Sequence, residues 1–294
     1  MKVLIVTGAN EAHADLLKDF ITSLRMHYGH NYEVALLDFA SKPFQDDVLS
    51  QFDLVQQFSD EAISFQKKRG YFLAYTAAKA RLTEIFPGYD VYCWVDADCW
   101  FNSPESVPRM VRNALKTEIT IHPEYDIHYW GYPTPSDRTL NLYKSIYGEN
   151  HSTYPIKLPM INAGVFAMSK SSKVWKLWAS ELLKMRERSL SEDIYFSDQI
   201  PLHRILYSQK IKAIPLRAVD NWQVNACPPK IFYDGNKKTI WVAAPTEPFE
   251  KIGIIHLAGR TKDHVYDVDG FKTTLRFSAL QFFSNTLSNS KSDK

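Results

Sequence analysis

The sequence predicts an α/β fold, a central sheet flanked by helices, on three observations. Short apolar runs alternate with stretches of helical periodicity from the first residues onward. The run Tyr92-Cys-Trp-Val95 leads straight into Asp96-Ala97-Asp98, so a hydrophobic strand ends in a pair of carboxylates. A chain of 294 residues, 45% of them hydrophobic, is long and apolar enough to bury a substantial core as one large domain.

The elements follow in order. Lys2 to Thr7 reads as a buried strand, with Gly8-Ala9-Asn10 as the turn after it. Ala12 to Tyr28 has helical spacing through Leu16, Leu17, Phe20, Ile21 and Leu24, and Tyr32 to Leu37 is a second strand. Strand, helix, strand makes a βαβ unit, which sets strands parallel and gathers functional loops at their C-terminal ends. Gln66 to Phe86 reads as one long helix ended by Pro87-Gly88. The turn-rich segment Pro123 to Pro159 reads as an irregular insertion over the sheet edge. Met160 to Met168 is a strand, Ser169-Lys-Ser-Ser caps the helix through Val174, Trp175, Trp178 and Leu182, and Asp198-Gln199 opens another near Ile200 to Tyr207. Short strands at 212–214, 238–242 and 253–256 complete the sheet in this reading. Phe271 to Leu287 is an amphipathic helix and Ser288 to Lys294 a frayed tail. The domain reading is therefore 1–265, with 123–159 as an insertion, followed by a C-terminal helical extension over 266–294.

Composition excludes several classes. The formal charge is +2 and the basic residues are scattered, which argues against nucleic acid as the main partner. Cys93, Cys99 and Cys227 are odd in number and lack Cys-x-x-Cys spacing, so neither a disulfide framework nor a zinc knuckle is indicated. No run reaches the ~18 apolar residues of a membrane span. The N-terminus lacks a signal-type cleavage site, so the expectation is a soluble, cytoplasmic protein.

The chemistry is read from the acidic pair. Side chains at i and i+2 of an extended segment share a face, so Asp96 and Asp98 are expected to converge. Paired carboxylates repel unless a cation lies between them, and their hard oxygens suit Mn²⁺ or Mg²⁺. The competing reading is an ordinary acidic turn. Gly253-Ile-Ile-His256-Leu-Ala-Gly259-Arg-Thr-Lys262 supplies a strand-end imidazole for the same ion, a turn glycine that lets backbone N–H groups approach an anion, and a lysine for phosphate.

Together these motifs resemble a known family. Thr7-Gly-Ala9-Asn10, Lys79-Ala-Arg81, Asp96-Ala97-Asp98, Ile161-Asn162-Ala163-Gly164, Ser197-Asp198-Gln199, Pro215-Leu216, Asn221-Trp222 and His256 to Lys262 stand in the order found in GT-A glycosyltransferases. The similarity is to the retaining family that contains glycogenin and the bacterial lipopolysaccharide galactosyl- and glucosyltransferases. It implies a Rossmann-like GT-A fold with a mixed central sheet, places the 123–159 insertion on the acceptor side, and implies transfer of a hexose from a nucleotide-diphospho-sugar, UDP-hexose foremost, to a glycan or glycolipid acceptor. It implies that Asp96, Asp98 and His256 bind Mn²⁺ or Mg²⁺. Thr7, Ala9, Asn10, Lys79, Ala97, Gly259 and Lys262 would contact the nucleotide. Lys79, Asn162, Ala163, Gly164, Asp198 and Gln199 would line the donor sugar, with Asp198 and Gln199 in the catalytic positions. One departure is visible: the family motif commonly continues Lys-Pro-Trp, whereas here Lys262 precedes Asp263-His264.

Other readings remain at this level. An inverting GT-A enzyme shares the motifs, and a metal-dependent nucleotide-sugar hydrolase or nucleotidyltransferase shares the acidic pair, although no Gly-rich phosphate loop is present. The terminal helix is read first as a docked cover of the core, and second as a peripheral membrane contact near lipid-linked acceptors.

Overall fold

The computed structural model describes residues 1–42, 44–58, 77–129, 137–148, 158–187, 198–234, 239–268 and 271–290. The first βαβ unit is β1 (Val3–Ala9), α1 (Ala14–Tyr28) and β2 (Glu33–Asp38). Short α2 (Asp46–Leu49) leads to β3 (Leu54–Gln57), and α3 (Leu82–Ile85) to β4 (Val91–Val95). Then come β5 (Cys99–Phe101), α4 (Ser106–Ala114), β6 (Ile119–Pro123), α5 (Asp137–Tyr147), β7 (Ile161–Ser169), α6 (Val174–Glu187) and α7 (Gln199–Ser208). The remainder is β8 (Ala213–Pro215), β9 (Trp222–Gln223), β10 (Lys230–Asp234), β11 (Thr239–Ala243), β12 (Ile254–His256), β13 (Val265–Val268), β14 (Phe271–Thr274) and α8 (Phe277–Ser290).

The main sheet has seven strands in the order β3-β2-β1-β4-β7-β6-β8. It is mixed, because β7 runs antiparallel to both β4 and β6 while the β1, β2, β3 and β4 pairings and the β6–β8 pairing are parallel. Its central strands are buried on both faces, and their period of two sorts the side chains into separate cores, while the edge strands β3 and β8 stay largely exposed. Val3, Ile5, Val34, Leu36, Val91, Cys93 and Val95 join Leu17, Phe20 and Met110 beneath α1 and α4. Leu4, Val6, Ala35, Leu37, Tyr92 and Trp94 join Trp175, Trp178, Leu202 and Ile205 beneath α6 and α7. This is why these strands read as unbroken apolar runs rather than as alternating ones.

Several expectations change. β1 continues through Gly8 and Ala9, and the turn is a 3-10 helix at Glu11–His13. Of the long helix expected at 66–86, residues 66–76 lie outside the described residues. The rest is helical at 77–79, turns at Ala80-Arg81, and resumes in α3. The segment read as irregular holds α5, whose Tyr143 donates to His203 Nδ1 (2.5 Å) and so ties α5 to α7. The expected strands at 238–242 and 253–256 do not extend the main sheet: β11 pairs with β10, and β12 lies between β5 and β9 in a three-stranded sheet. Nor is 271–287 one helix, since β14 forms a hairpin with β13 before α8 begins. Helix α8 runs on to Ser290, into the expected tail, whose residues 291–294 lie outside the described residues.

Candidate functional site

The site lies where β4 and β7 of the main sheet meet the small β5-β12-β9 sheet. Asp96 directly follows β4, and its backbone N–H donates to Gly164 O on β7 (2.8 Å). Cys99 N–H closes back on Asp96 O (3.0 Å), so Asp96-Ala97-Asp98 is a turn and not the extended segment expected. The carboxylates therefore take different partners. Asp96 Oδ1 accepts from Trp94 Nε1 (2.7 Å) and pairs with Lys79 Nζ (3.0 Å). Asp98 faces His256 Nε2 (3.3 Å) and Lys262 Nζ (3.1 Å). Burial raises the Asp98 carboxyl, but His256 and Lys262 outweigh it and hold it well below the usual carboxylate range.

His256 ends β12 opposite Cys99 and beside Gln223. Its Nδ1 meets Asn221 Oδ1 (3.0 Å), and the Asn221 amide donates to Asn162 Oδ1 (3.0 Å). Since an amide oxygen only accepts, Nδ1 carries a proton and Nε2 is turned toward Asp98. This is the arrangement by which outer polar groups orient a metal-binding imidazole.

Gly164 keeps the centre of the site open. A Cβ there would fall within 3.0 Å of His256 Cε1, Asn162 Oδ1 and Asp96 Oδ2, so those groups converge on a space that only glycine leaves free. The structure brings Asp98 and His256 together, while Asp96 is held by Lys79 and Trp94 and borders the cradle with Oδ2; carboxylate and imidazole donors of this kind suit a divalent ion.

The other expected residues divide into two groups. Lys79 is 2% exposed, its Nζ held by Asp198 Oδ2 (3.0 Å), Ala163 O (3.3 Å) and Asp96, and it lies 4.9 Å from the Trp94 ring centroid. Burial pulls its ammonium down, yet Asp198 and Asp96 leave it above its ordinary value. Asp198 caps α7, accepting from Gln199 N–H (3.0 Å), and Gln199 stands half-buried at the helix start. Ser197 lies outside the described residues. Asn10 Oδ1 accepts a hydrogen bond from His13 Nδ1 (2.7 Å), since an amide oxygen has no proton to give. Burial, together with Lys262, lowers the His13 pKa while Asp98 and Asp96 oppose them, which brings the first loop within electrostatic reach of the acidic pair. Gly259 has φ +65 and nothing within 4 Å of a Cβ, so the turn needs glycine for backbone conformation rather than for space. Thr7, Ala97 and Ala163 are buried, and Thr7 Oγ1 has no hydrogen-bond partner among the described residues.

Sequence reasoning missed four side chains. Glu124 Oε1 accepts from Asn162 Nδ2 (3.4 Å), and burial pushes its carboxyl up to about 7 against that hydrogen bond and the His256 charge. Gln223 Oε1 accepts from the same amide (3.2 Å), and Asn221 holds His256. Gln223 Nε2 and His122 Nε2 are buried without a partner among the described residues, although His122 and Asn162 face each other across the β6–β7 ladder. The Asn221-Trp222 motif was the available signal for this cluster. Glu124 had none.

No protein-family model matches the sequence, and no curated protein sequence matches it. Solved structures do. Galactosyltransferase LgtC in complex with donor and acceptor sugar analogs superposes with a TM-score of 0.55 over 98% of this chain and 95% of that one, at 12% identity. An active-site mutant of LgtC, glutamine to glutamate, gives 0.56 over the same shares at 11% identity. The fold is of the GT-A type. At such identity the likeness concerns the GT-A scaffold, a mixed sheet flanked by helices. No helix among the described residues is long and apolar enough to cross a membrane.

Proposed function

We propose that this protein is a glycosyltransferase that uses a divalent ion to move a hexose from a nucleotide-diphospho-sugar, a UDP-hexose, to a hydroxyl of a glycan or glycolipid, with retention of configuration. The observation that carries the reading is the open cradle over Gly164, bounded by Asp96, His256 and Asn162 at the strand ends of a GT-A fold. LgtC, which shares the scaffold, is a galactosyltransferase that binds donor and acceptor sugar analogs.

Asp96, Asp98 and His256 would hold Mn²⁺ or Mg²⁺, and the bound ion would neutralise charge on the departing diphosphate. Lys262, on the 3-10 turn after Gly259, adds a point charge to the same phosphates. Asn10 and the backbone of Thr7 and Ala9 face the nucleoside. Asn162 and the Ala163-Gly164 backbone line the sugar, and Asp198 binds its hydroxyls through Oδ1, the oxygen that accepts from Gln199 N–H rather than from Lys79. Lys79 is a positioning residue: its donors are committed to Asp96, Asp198 and Ala163 O, and it fixes where both carboxylates point. Gln199 faces the anomeric carbon, in keeping with the active-site glutamine altered in the LgtC mutant.

Glu124 favours a second reading. A carboxyl with a pKa about 7 beside Asn162 is suited to act as general base in direct displacement, which would invert the anomeric centre. Product configuration by NMR separates the two.

The proposal is tested by melting the protein with a panel of sugar nucleotides, with and without Mn²⁺. A true donor at a hundredfold its Kd stabilises by about 2.7 kcal/mol, and here only when Mn²⁺ is present. A panel in which no sugar nucleotide shifts the melt would refute it.

A further inference from the structure

The strands that carry Asp98 and His256 also bring a sulfur to the same point. Cys99 opens β5 and sits directly opposite His256 in the antiparallel β5–β12 ladder, so the two side chains leave the same face. A carboxylate oxygen of Asp98, Cys99 Sγ and a ring nitrogen of His256 all lie within 4.8 Å of one another. Bonds of ~2.0–2.3 Å in a tetrahedron place ligand atoms ~3.3–3.8 Å apart, a distance within reach of side-chain rotation from this arrangement. Among the described residues no other three metal-ligating side chains come together in this way. Cys99 is 1% exposed and the Asp98 side chain 15% exposed, so the thiol lies deeper than the carboxylate.

The chemistry of that trio differs from that of the acidic pair. Carboxylate oxygens suit Mn²⁺ and Mg²⁺, whereas thiolate selects softer ions, and Zn²⁺ outranks Mn²⁺ in affinity at a mixed N/O/S site. We infer that Asp98, Cys99 and His256 form a three-ligand site for Zn²⁺ and similarly thiophilic ions, sharing two ligands with the Mn²⁺ or Mg²⁺ position and displacing the ion from it. As the Zn–S bond forms, the S–H bond breaks and the proton passes to solvent, with no change of oxidation state. Three protein ligands leave the fourth position to water. Zn²⁺ bound through Cys99 would occupy Asp98 and His256 and so would act as an inhibitor of the site. The inference rests on the metal-binding part of the proposed function and not on the transfer reaction.

The test uses the full chain stripped of metal, without donor. Zinc-edge X-ray absorption on the wild type should show one sulfur at ~2.3 Å. Co²⁺ should give a near-ultraviolet sulfur-to-cobalt charge-transfer band that is lost in Cys99→Ser and kept in Cys227→Ser. One equivalent of Zn²⁺ should release Mn²⁺, followed by its electron paramagnetic resonance signal. A zinc shell of oxygen and nitrogen alone would overturn the inference, as would a cobalt band that survives Cys99→Ser, or Zn²⁺ and Mn²⁺ bound together. If Cys99→Ser does not fold, the wild-type zinc edge decides. Sulfur ligation in a protein that transfers no sugar would uphold this site and refute the transferase reading.

Discussion

At the scale of single residues, one missing side chain and one buried cation organise the site. Gly164→Ala would place a methyl group among His256, Asn162 and Asp96. The expected result is a ~10–100-fold loss of Mn²⁺ affinity by titration, of the size seen when a supporting group is disturbed, with an unchanged circular dichroism spectrum. Lys79→Met would leave the Asp96 and Asp198 carboxylates without their shared partner, at a cost of about 3–5 kcal/mol in denaturant unfolding. Glu124 makes a pH-dependent prediction. Its folded-state value of about 7 lies above that of the unfolded chain, so the native state holds the proton more tightly. Stability from this group is fully present below about 4.5 and is lost as pH rises through about 7. Glu124→Gln should therefore melt higher than wild type at pH 8 by on the order of 1 kcal/mol, once solvent screening at its partly buried position is allowed for, and equally at pH 4. A difference that does not change with pH would contradict this. Asp96, Asp98 and His256 were legible because strand-end carboxylates and a strand-end imidazole are local patterns. Glu124 and Gln223 were not, because each matters only through Asn162, which lies 38 and 61 positions away in the chain.

At the scale of elements, the sequence shows periodicity but not pairing. α1, β2, β4 and β7 were readable, since each carries an unbroken apolar run or stripe. The three-stranded β5-β12-β9 sheet was not, because three-residue strands have no period to detect, and yet it delivers His256 to Asp98. The C-terminal helix shows the same limit. Its aromatic stripe was legible, but which face it buries depends on α1, β5 and β11. Leu275, Phe277 and Leu280 join Trp100 in a third core, while Arg276 pairs with Asp19 and donates to Asp15 O (2.7 Å). The docked-cover expectation agrees with this packing. Arg276→Ala should loosen the helix, costing about 2 kcal/mol and raising its rate of proteolytic trimming. Phe282 stays 74% exposed on the same helix. If α8 also touches membrane, Phe282→Ser should reduce liposome co-sedimentation without lowering the melting temperature, whereas removing the whole segment would strip the third core of Leu275 and Phe277.

At the scale of the whole molecule, two layers of helices bury both faces of a mixed sheet, and the reversal of direction at β7 sets Gly164 against Asp96. A parallel strand at that place would carry the Asn162-Ala163-Gly164 turn of chain to the opposite end of the sheet. The fold class was legible from strand–helix alternation, and the mixed sheet from the resemblance. The order β3-β2-β1-β4-β7-β6-β8 was not, because strand order depends on contacts between distant segments. The central claim is that this scaffold holds an ion at Asp98 for work on a nucleotide-sugar. The most direct measurement is Mn²⁺-dependent turnover of a UDP-hexose by the wild type and by Asp98→Asn. The account predicts turnover in the wild type that is lost in the folded variant. Full activity in Asp98→Asn would contradict it.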